Sequence, residues 1–235
     1  MSFHHSPKIV TNGLAFCLDA ANRKSYGGAG TVWRDLVSGN NGALTNGPTF
    51  NRANCGNIVF DGTNDYVTCG PVYNFGGANS VATILFWAKG SGQIFSNQRT
   101  NGSEHGWIQT NISENFTLYI DAYDNPPYGE TFTGLLSATP YPSLIGQWNL
   151  YNMRINRPAH QYTMGINQYF TSYTRNFFVN NSSNFNTLEI GRINNFNYNT
   201  SYFSGQIACV SFYNRILTDQ EIIQNLNATK GRFGV

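Results

Sequence analysis

The sequence of 235 residues has few charged side chains. Lys, Arg, Asp and Glu make up 11% of it, whereas an average soluble protein contains about 25%. The formal net charge is +2, and no segment concentrates Lys and Arg. A protein that binds DNA or RNA normally carries a basic patch or stripe. We therefore expect no nucleic-acid partner.

Long apolar segments are also missing from the sequence. A membrane-spanning helix needs about 18 or more consecutive apolar residues, and no run in this chain approaches that length. The first residues, MSFHHSPKIVTNG, lack the apolar core of a signal peptide. We expect no membrane partner, and synthesis and folding in a cytoplasm.

Cysteine is sparse and widely spaced. Cys17, Cys55, Cys69 and Cys209 form no C-x-x-C pair, a spacing that argues against a zinc site. In a protein without a secretion signal, free thiols are expected rather than disulfides. Cys17 and Cys209 fall in strand-like segments near the two chain ends, and we consider them candidates for neighbours in one sheet.

What the sequence does contain is typical of an all-β protein. Short segments rich in β-branched and aromatic residues alternate with Gly, Asn and Pro clusters from end to end. The first of them alternates Leu14, Phe16 and Leu18 with smaller or polar residues, as a strand with one buried face does. Trp87 and Trp148, inside apolar strand segments, are expected in the core. The predicted strands are residues 13–20, 58–60, 66–69, 81–89, 107–110, 116–122, 148–155, 161–166, 188–193 and 206–213.

One helix is predicted near the end of the chain, at residues 218–227. Thr218 is its cap, and Glu221 stands at the third helical position, where the two residues can form a capping box. Ile222, Ile223 and Leu226 share one face of this helix. Because an isolated helix of this length is marginal, we expect it to pack on the sheets. No linker divides the chain, so we predict an N-terminal arm of residues 1–11 and a single domain of residues 12–235.

Two blocks of sequence frame the chain. The first runs from Gly13-Leu14 through Trp33 to the segment FDGTNDYV at residues 60–67, and the second runs from FSGQIA at residues 203–208 to GRFG at residues 231–234. Together they resemble the laminin-G-like members of the concanavalin A-like lectin/glucanase superfamily, in particular those found in virion proteins of tailed bacteriophages. The resemblance implies a jelly-roll sandwich of two antiparallel sheets. Its first and last strands would be adjacent, with one short C-terminal helix outside.

This resemblance and the low charge lead to a prediction of function. We expect a non-catalytic structural protein of a phage particle, made in the host cytoplasm, that decorates the head or forms part of the neck, tail or fibre. It would contact other virion proteins in several copies through its N-terminal arm and its long loops, since interfaces are rich in aromatics and poor in charge. The alternative is a carbohydrate-binding module for host-surface glycans. A glycoside hydrolase ranks third, because the E-x-D-x-x-E pattern of the glucanase branch is absent.

Contacts with a glycan or a protein are expected on loops that a rigid sandwich presents. The long predicted loops are residues 25–48, 124–144 and 194–203. The candidate binding residues are aromatic or asparagine side chains in or beside the last two loops: Tyr123, Asn125, Tyr128, Asn197, Tyr198 and Tyr202.

The segment DGTND at residues 61–65 has two interpretations. Asp61, Asn64 and Asp65 could supply three oxygens to a calcium ion, which takes six to eight. The same residue types are what a tight turn requires, because Gly accepts positive φ and Asp or Asn side chains bond nearby amides. No D-x-[DN]-x-[DN]-G loop is present. We favour a hairpin corner and keep calcium as a weak candidate; no other cofactor is expected.

Overall fold

The computed structural model describes residues 7–73, 79–97, 108–113, 116–120, 131–132, 146–174, 187–193 and 201–235. These residues form sixteen β-strands, one α-helix and two short 3-10 helices. None of the helices in these ranges is long and apolar enough to cross a membrane. The strands are β1 (Leu14–Asp19), β2 (Val32–Trp33), β3 (Gly42–Thr45), β4 (Thr49–Asn51), β5 (Asn57–Asp61), β6 (Tyr66–Cys69), β7 (Val81–Asn97), β8 (Ile108–Ile112), β9 (Phe116–Ile120), β10 (Thr131–Phe132), β11 (Asn149–Asn156), β12 (Gln161–Ile166), β13 (Tyr169–Thr174), β14 (Leu188–Ile190), β15 (Arg192–Ile193) and β16 (Ser201–Tyr213). Helix α1 is Asp219–Thr229, and the 3-10 helices are Ala53–Cys55 and Lys230–Arg232.

The strands form two layers, and the strand pairs among the described residues are antiparallel. One layer has the order β13-β12-β11-β7-β16-β1, and β5 and β4 extend from the first half of β16. The other layer has the order β10-β9-β8-β7-β14-β6-β3-β2. Strand β1 pairs with β16, so the first and last strands are adjacent. The predicted all-β, two-sheet antiparallel jelly-roll sandwich with one C-terminal helix is therefore confirmed.

Strands β7 and β16 cross closely near the point where β7 passes from one layer to the other. Gly90 and Gly205 are partners in this crossing, with φ angles of 144° and 150°. A Cβ atom on Gly90 would lie 2.7 Å from the Cα atom of Gly205 and would also overlap the carbonyl oxygen of Ser204. Glycine is required at this crossing because only it combines positive φ with the absence of a side chain.

The main core lies between the two layers, and a second core lies under the helix. In the main core, the ring of Phe86 stacks on that of Tyr151, with centroids 5.5 Å apart. In the second core, Trp87 and Trp148 both pack on Phe233, with centroid distances of 4.2 and 4.7 Å. Both tryptophans are buried, as predicted.

The described part of the predicted arm, from residue 7 onward, lies along α1. The backbone N–H of Val10 donates to Asn225 Oδ1 (2.7 Å), and its carbonyl accepts from the hydroxyl of Tyr213 (2.9 Å). Gln224 Nε2 donates to the carbonyl of Lys8 (2.7 Å). Residues 1–6 lie outside the described ranges, so the division into an arm and a domain at residue 11 stays a prediction.

The predicted cysteine neighbours are confirmed. Cys17 pairs with Ser211 across β1 and β16, and Cys209 precedes Ser211 by two residues on the same strand. The Ser211 hydroxyl lies 3.7 Å from Cys17 Sγ and 3.6 Å from Cys209 Sγ. Both cysteines are free thiols.

Helix α1 begins as predicted. Thr218 Oγ1 accepts the N–H of Glu221 (3.2 Å), and Glu221 Oε2 accepts the N–H of Thr218 (2.9 Å), which completes the capping box. Leu217 before the cap and Ile222 after it are both buried in the second core. The helix continues to Thr229, two residues past the predicted end.

Glu221 should make the stability of this helix depend on pH. Arg215 binds both its carboxylate oxygens (2.9 and 2.5 Å), and this hydrogen bonding lowers the pKa of Glu221 from 4.5 to about 2, although burial opposes it. We expect Glu221→Gln to lower the melting temperature at pH 7. The difference from the unmodified protein should shrink as the pH falls from about 4.5 towards 2, because a carboxylate with a depressed pKa loses its stabilising effect as it becomes protonated. Thermal unfolding of both proteins from pH 7 to pH 2 measures this, and a difference that does not change with pH would contradict it.

Candidate functional site

The segment at residues 61–65 carries the chain from one layer of the sandwich to the other. Strand β5 before it pairs with β4 and β16, whereas β6 after it pairs with β3 and β14. Because β5 and β6 do not pair with each other, the predicted hairpin is wrong, although the chain does turn here. Phe60 and Val67 are buried in the same core from opposite layers, which two paired strands of one sheet cannot achieve.

The two carboxylates of this corner are bonded to its backbone. Asp61 Oδ1 accepts the N–H groups of Thr63 (2.8 Å) and Asn64 (3.3 Å), and Asp65 Oδ2 accepts the N–H of Asp61 (3.0 Å). The bond from Thr63 contributes most to lowering the pKa of the exposed Asp61, whereas burial raises the pKa of Asp65. Both side chains therefore stabilise the turn by accepting hydrogen bonds from its backbone N–H groups.

A calcium site at this corner would need further ligands. Calcium normally takes several carboxylates, and among the described residues no group of three or more His, Cys, Asp or Glu side chains is arranged to hold a metal ion. Asp65 also directs one of its oxygens to the backbone. The candidate calcium site formed by Asp61, Asn64 and Asp65 stays a prediction.

Aromatic and charged side chains gather on the outer surface beside this corner. The guanidinium of Arg192 lies over the ring of Tyr66, 3.5 Å from its centroid. Arg192 also binds Glu189 with two bonds, from Nε to Oε2 (2.6 Å) and from Nη2 to Oε1 (2.5 Å). Tyr202 is the partner of Arg192 in the pairing of β15 with β16, so the two side chains leave the same face. We call Tyr66, Glu189, Arg192 and Tyr202 the corner cluster.

The backbone that carries Arg192 is held at several points. Its carbonyl accepts a bond from the buried hydroxyl of Ser96 (2.8 Å), and the carbonyl of Gly191 accepts the N–H of Phe203 (2.9 Å). Gly191 has a φ of 86°, and a Cβ atom there would lie 2.7 Å from the ring of Phe60. The turn between β14 and β15 is therefore packed against the corner and fixes the position of Arg192.

The ion pair inside the corner cluster is mostly shielded from water. The side chains of Arg192 and Glu189 are 16% and 10% exposed. Burial alone would lower the pKa of Arg192, but the bonds and charge of Glu189 outweigh it and raise that pKa. The bonds to Glu189 use Nε and Nη2, and Nη1 carries two further N–H donors that these bonds do not use. The cluster thus presents tyrosine rings beside a guanidinium of fixed orientation.

The candidate binding residues lie partly outside the described ranges. Tyr202 is half-buried in the corner cluster, and Asp61 and Asn64 are exposed beside it. Sequence reasoning missed Tyr66, Glu189 and Arg192; the only local signal was an acid and an arginine three residues apart around a glycine. The other five candidate binding residues lie outside the described ranges: Tyr123, Asn125, Tyr128, Asn197 and Tyr198.

Comparison with known sequences gives one family match. Residues 144–230 match the model of the sialidase N-terminal domain, over less than half of the chain. No curated protein matches the chain.

Similar solved structures include binding domains and sialidases. The binding domain of botulinum neurotoxin serotype G superposes with a TM-score of 0.63 at 15% identity, over 89% of this chain and 50% of that one. The binding domain of botulinum neurotoxin DC in complex with SialylT superposes with a TM-score of 0.62 at 14% identity, over 92% of this chain and 52% of that one. A mutant of Trypanosoma rangeli sialidase that displays trans-sialidase activity superposes with a TM-score of 0.61 at 16% identity, over 95% of this chain and 34% of that one. The chain spans about half of these proteins or less, and the likeness shows a lectin-like β-sandwich fold. None of the three is a phage protein, so the virion role gains no support from them.

Proposed function

We propose that this chain is a non-catalytic carbohydrate-binding domain, and that the corner cluster with the adjacent Asp61 and Asn64 binds the glycan. The observation that carries the proposal is the guanidinium of Arg192, which lies 3.5 Å from the centroid of the Tyr66 ring and is held by two bonds to Glu189. A sugar ring has an apolar face that packs on aromatic rings, and hydroxyls that bond to acid, amide and guanidinium groups. Sites for small ligands combine aromatic walls with a few placed polar groups in this way.

The comparisons support this class of function without fixing the ligand. One similar binding domain was solved in complex with SialylT, and the matched family model is that of a sialidase N-terminal domain. These ligands and activities belong to those proteins, since one fold hosts many functions.

Replacing Tyr202 with alanine should weaken glycan binding by about five- to hundredfold, because removing an aromatic ring on which a ligand ring stacks costs about 1–3 kcal/mol in comparable contacts. A glycan array with neutral and acidic glycans, with and without calcium, identifies the ligand, and calorimetric titration measures the loss. The matched control is Tyr169→Ala, which removes an exposed tyrosine from β13, a strand that contributes no residue to the corner cluster. An array without any hit would refute the proposed function, and equal losses for both variants would refute the proposed site.

A structural role in a phage particle is the second candidate, and one observation favours it. The loop predicted to make contacts, residues 25–48, exposes the apolar side chains of Val32, Leu36 and Val37. Contact with other virion proteins, or with further copies of this chain, would remove such side chains from water. The presence of the protein at a fixed copy number in purified particles would test this role, and it is compatible with glycan binding.

A further inference from the structure

Arg157 lies at the opposite end of the sandwich from the corner cluster. It follows β11 directly, and its N–H donates to the carbonyl of Ser80 (3.1 Å) just before β7 begins. The residue is 3% exposed. Within the described part of the chain, none of its three guanidinium nitrogens has a hydrogen-bond partner.

An unpaired guanidinium at such depth is unfavourable for folding. Burying a charge is costly unless the charge is paired and hydrogen-bonded. An arginine side chain keeps its proton and therefore its charge even when it is buried. Burial lowers the pKa of Arg157, but a guanidinium pKa starts from a value too high for this to neutralise it at pH 7. A negatively charged group bonded to the guanidinium would offset this cost.

Other shielded arginines in the described ranges already have acidic partners. Each of them contacts a carboxylate within 3.1 Å or less, and each is more exposed than Arg157. These pairs are Arg154 with Asp219, Arg192 with Glu189, Arg215 with Glu221, and Arg232 with Asp19. Among the described residues, Arg157 is therefore a shielded arginine without an acidic partner.

The surroundings of Arg157 suit a small organic acid. Tyr162, its neighbour on β12, interacts with it electrostatically, and Tyr173 is the partner of Tyr162 on β13. Tyr73 reaches the same end of the sandwich, where its hydroxyl donates to the carbonyl of Val81 (2.6 Å). The next residues of the turn, 158–160, are exposed. The guanidinium thus lies near the ring of Tyr162, and the exposed part of the turn begins at the next residue.

We propose that Arg157 binds the carboxylate of a small acidic ligand, at a second site separate from the corner cluster. The two oxygens of a carboxylate match the planar fork of a guanidinium, and such paired bonds are among the strongest in proteins. The ring of Tyr162 favours a carboxylate attached to a ring or chain that can pack on it, such as a sugar acid.

The test compares glucuronic acid with glucose, which differ only by a carboxylate in place of a hydroxymethyl group. Thermal unfolding is measured with each sugar, with acetate, and with sodium chloride at the same ionic strength. We expect glucuronate to raise the melting temperature in a saturable way, since a ligand that binds only the folded state stabilises it, and glucose and chloride to leave it unchanged. A rise with acetate too would show that the carboxylate alone suffices. No saturable rise with either acid would overturn the proposal.

Variants of Arg157 separate binding from a structural role. Arg157→Met should abolish the response to glucuronate and leave the melting temperature without ligand equal or higher, because replacing an unpaired buried charge by an apolar chain removes its desolvation cost. Arg157→Lys keeps the charge but loses the fork, so its response should be weaker. Arg52→Met, at an exposed arginine, is the matched control. A lower melting temperature for Arg157→Met, with the response to glucuronate retained, would contradict the proposal. Glycan binding at the corner cluster should persist in Arg157→Met, so the two proposals can fail independently.

Discussion

Replacing Gly90 with alanine is expected to prevent stable folding. At this position φ is 144°, and the new Cβ atom would meet the carbonyl oxygen of Ser204 and lie 2.7 Å from Gly205 Cα. These are backbone atoms of a central strand, so β7 and β16 would have to separate. We expect a loss above about 4 kcal/mol, which is exceptional for one substitution and comparable to the whole stability of a marginal domain. Urea and thermal unfolding measure it.

Gly30→Ala is the matched control for this substitution. Gly30 also has a positive φ, 95°, but nothing lies within 4 Å of the place where its Cβ would be. The Gly30→Ala variant should lose about 1–2 kcal/mol of folding stability, the backbone strain of a non-glycine residue in the left-handed conformation. If Gly90→Ala cost no more than Gly30→Ala, the close crossing of β7 and β16 would be refuted.

The parts of the fold that could be predicted are those with a local cause. The alternation of Leu14, Phe16 and Leu18 predicted β1, and the Thr218 and Glu221 capping box predicted the start of α1. Strand β13 was missed because its sequence, YFTSYT, is half polar, and it is ordered by pairing with β12 along one edge. The short strands β2 and β3 were placed in a loop for a similar reason, since they exist through their partners.

The turn after β5 shows a second limit of sequence reasoning. Residues 61–65 carry correct signals for a turn, and the hydrogen bonds of Asp61 and Asp65 follow them. Turn chemistry does not say whether the next strand pairs with the previous one or crosses to another layer. That choice is made by the core, which buries Phe60 and Val67 from opposite sides.

The candidate sites were harder to predict than the fold. The corner cluster joins Tyr66 to Arg192 and Tyr202, which are far from it in sequence and meet it only through the pairing of β6, β14, β15 and β16. Arg157 stands beside a proline and a histidine in a polar stretch, where an arginine is normally solvated. Its burial depends on strands packed against its turn, which no pattern around residue 157 reveals.

Breaking the ion pair of the corner cluster should be the most damaging change at the proposed glycan site. Arg192→Leu leaves the carboxylate of Glu189, 10% exposed, without its partner. Removing one member of a buried pair costs about 3–5 kcal/mol, because the other charge stays buried and uncompensated. Glu189→Leu should cost a similar amount for the same reason. The free energy of unfolding in urea measures both.

The double variant Glu189→Leu/Arg192→Leu separates stability from binding at this site. Replacing both charges by apolar side chains of similar size is often neutral or stabilising, so we expect most of the lost stability to return. Glycan binding should not return, because Tyr66 would lack the guanidinium that lies over its ring and the donors on Nη1 would be gone. A folded double variant that binds the glycan as tightly as the unmodified protein would exclude the corner cluster as the binding site. A folded double variant without binding would instead show that the ion pair serves recognition, since the fold does not need it.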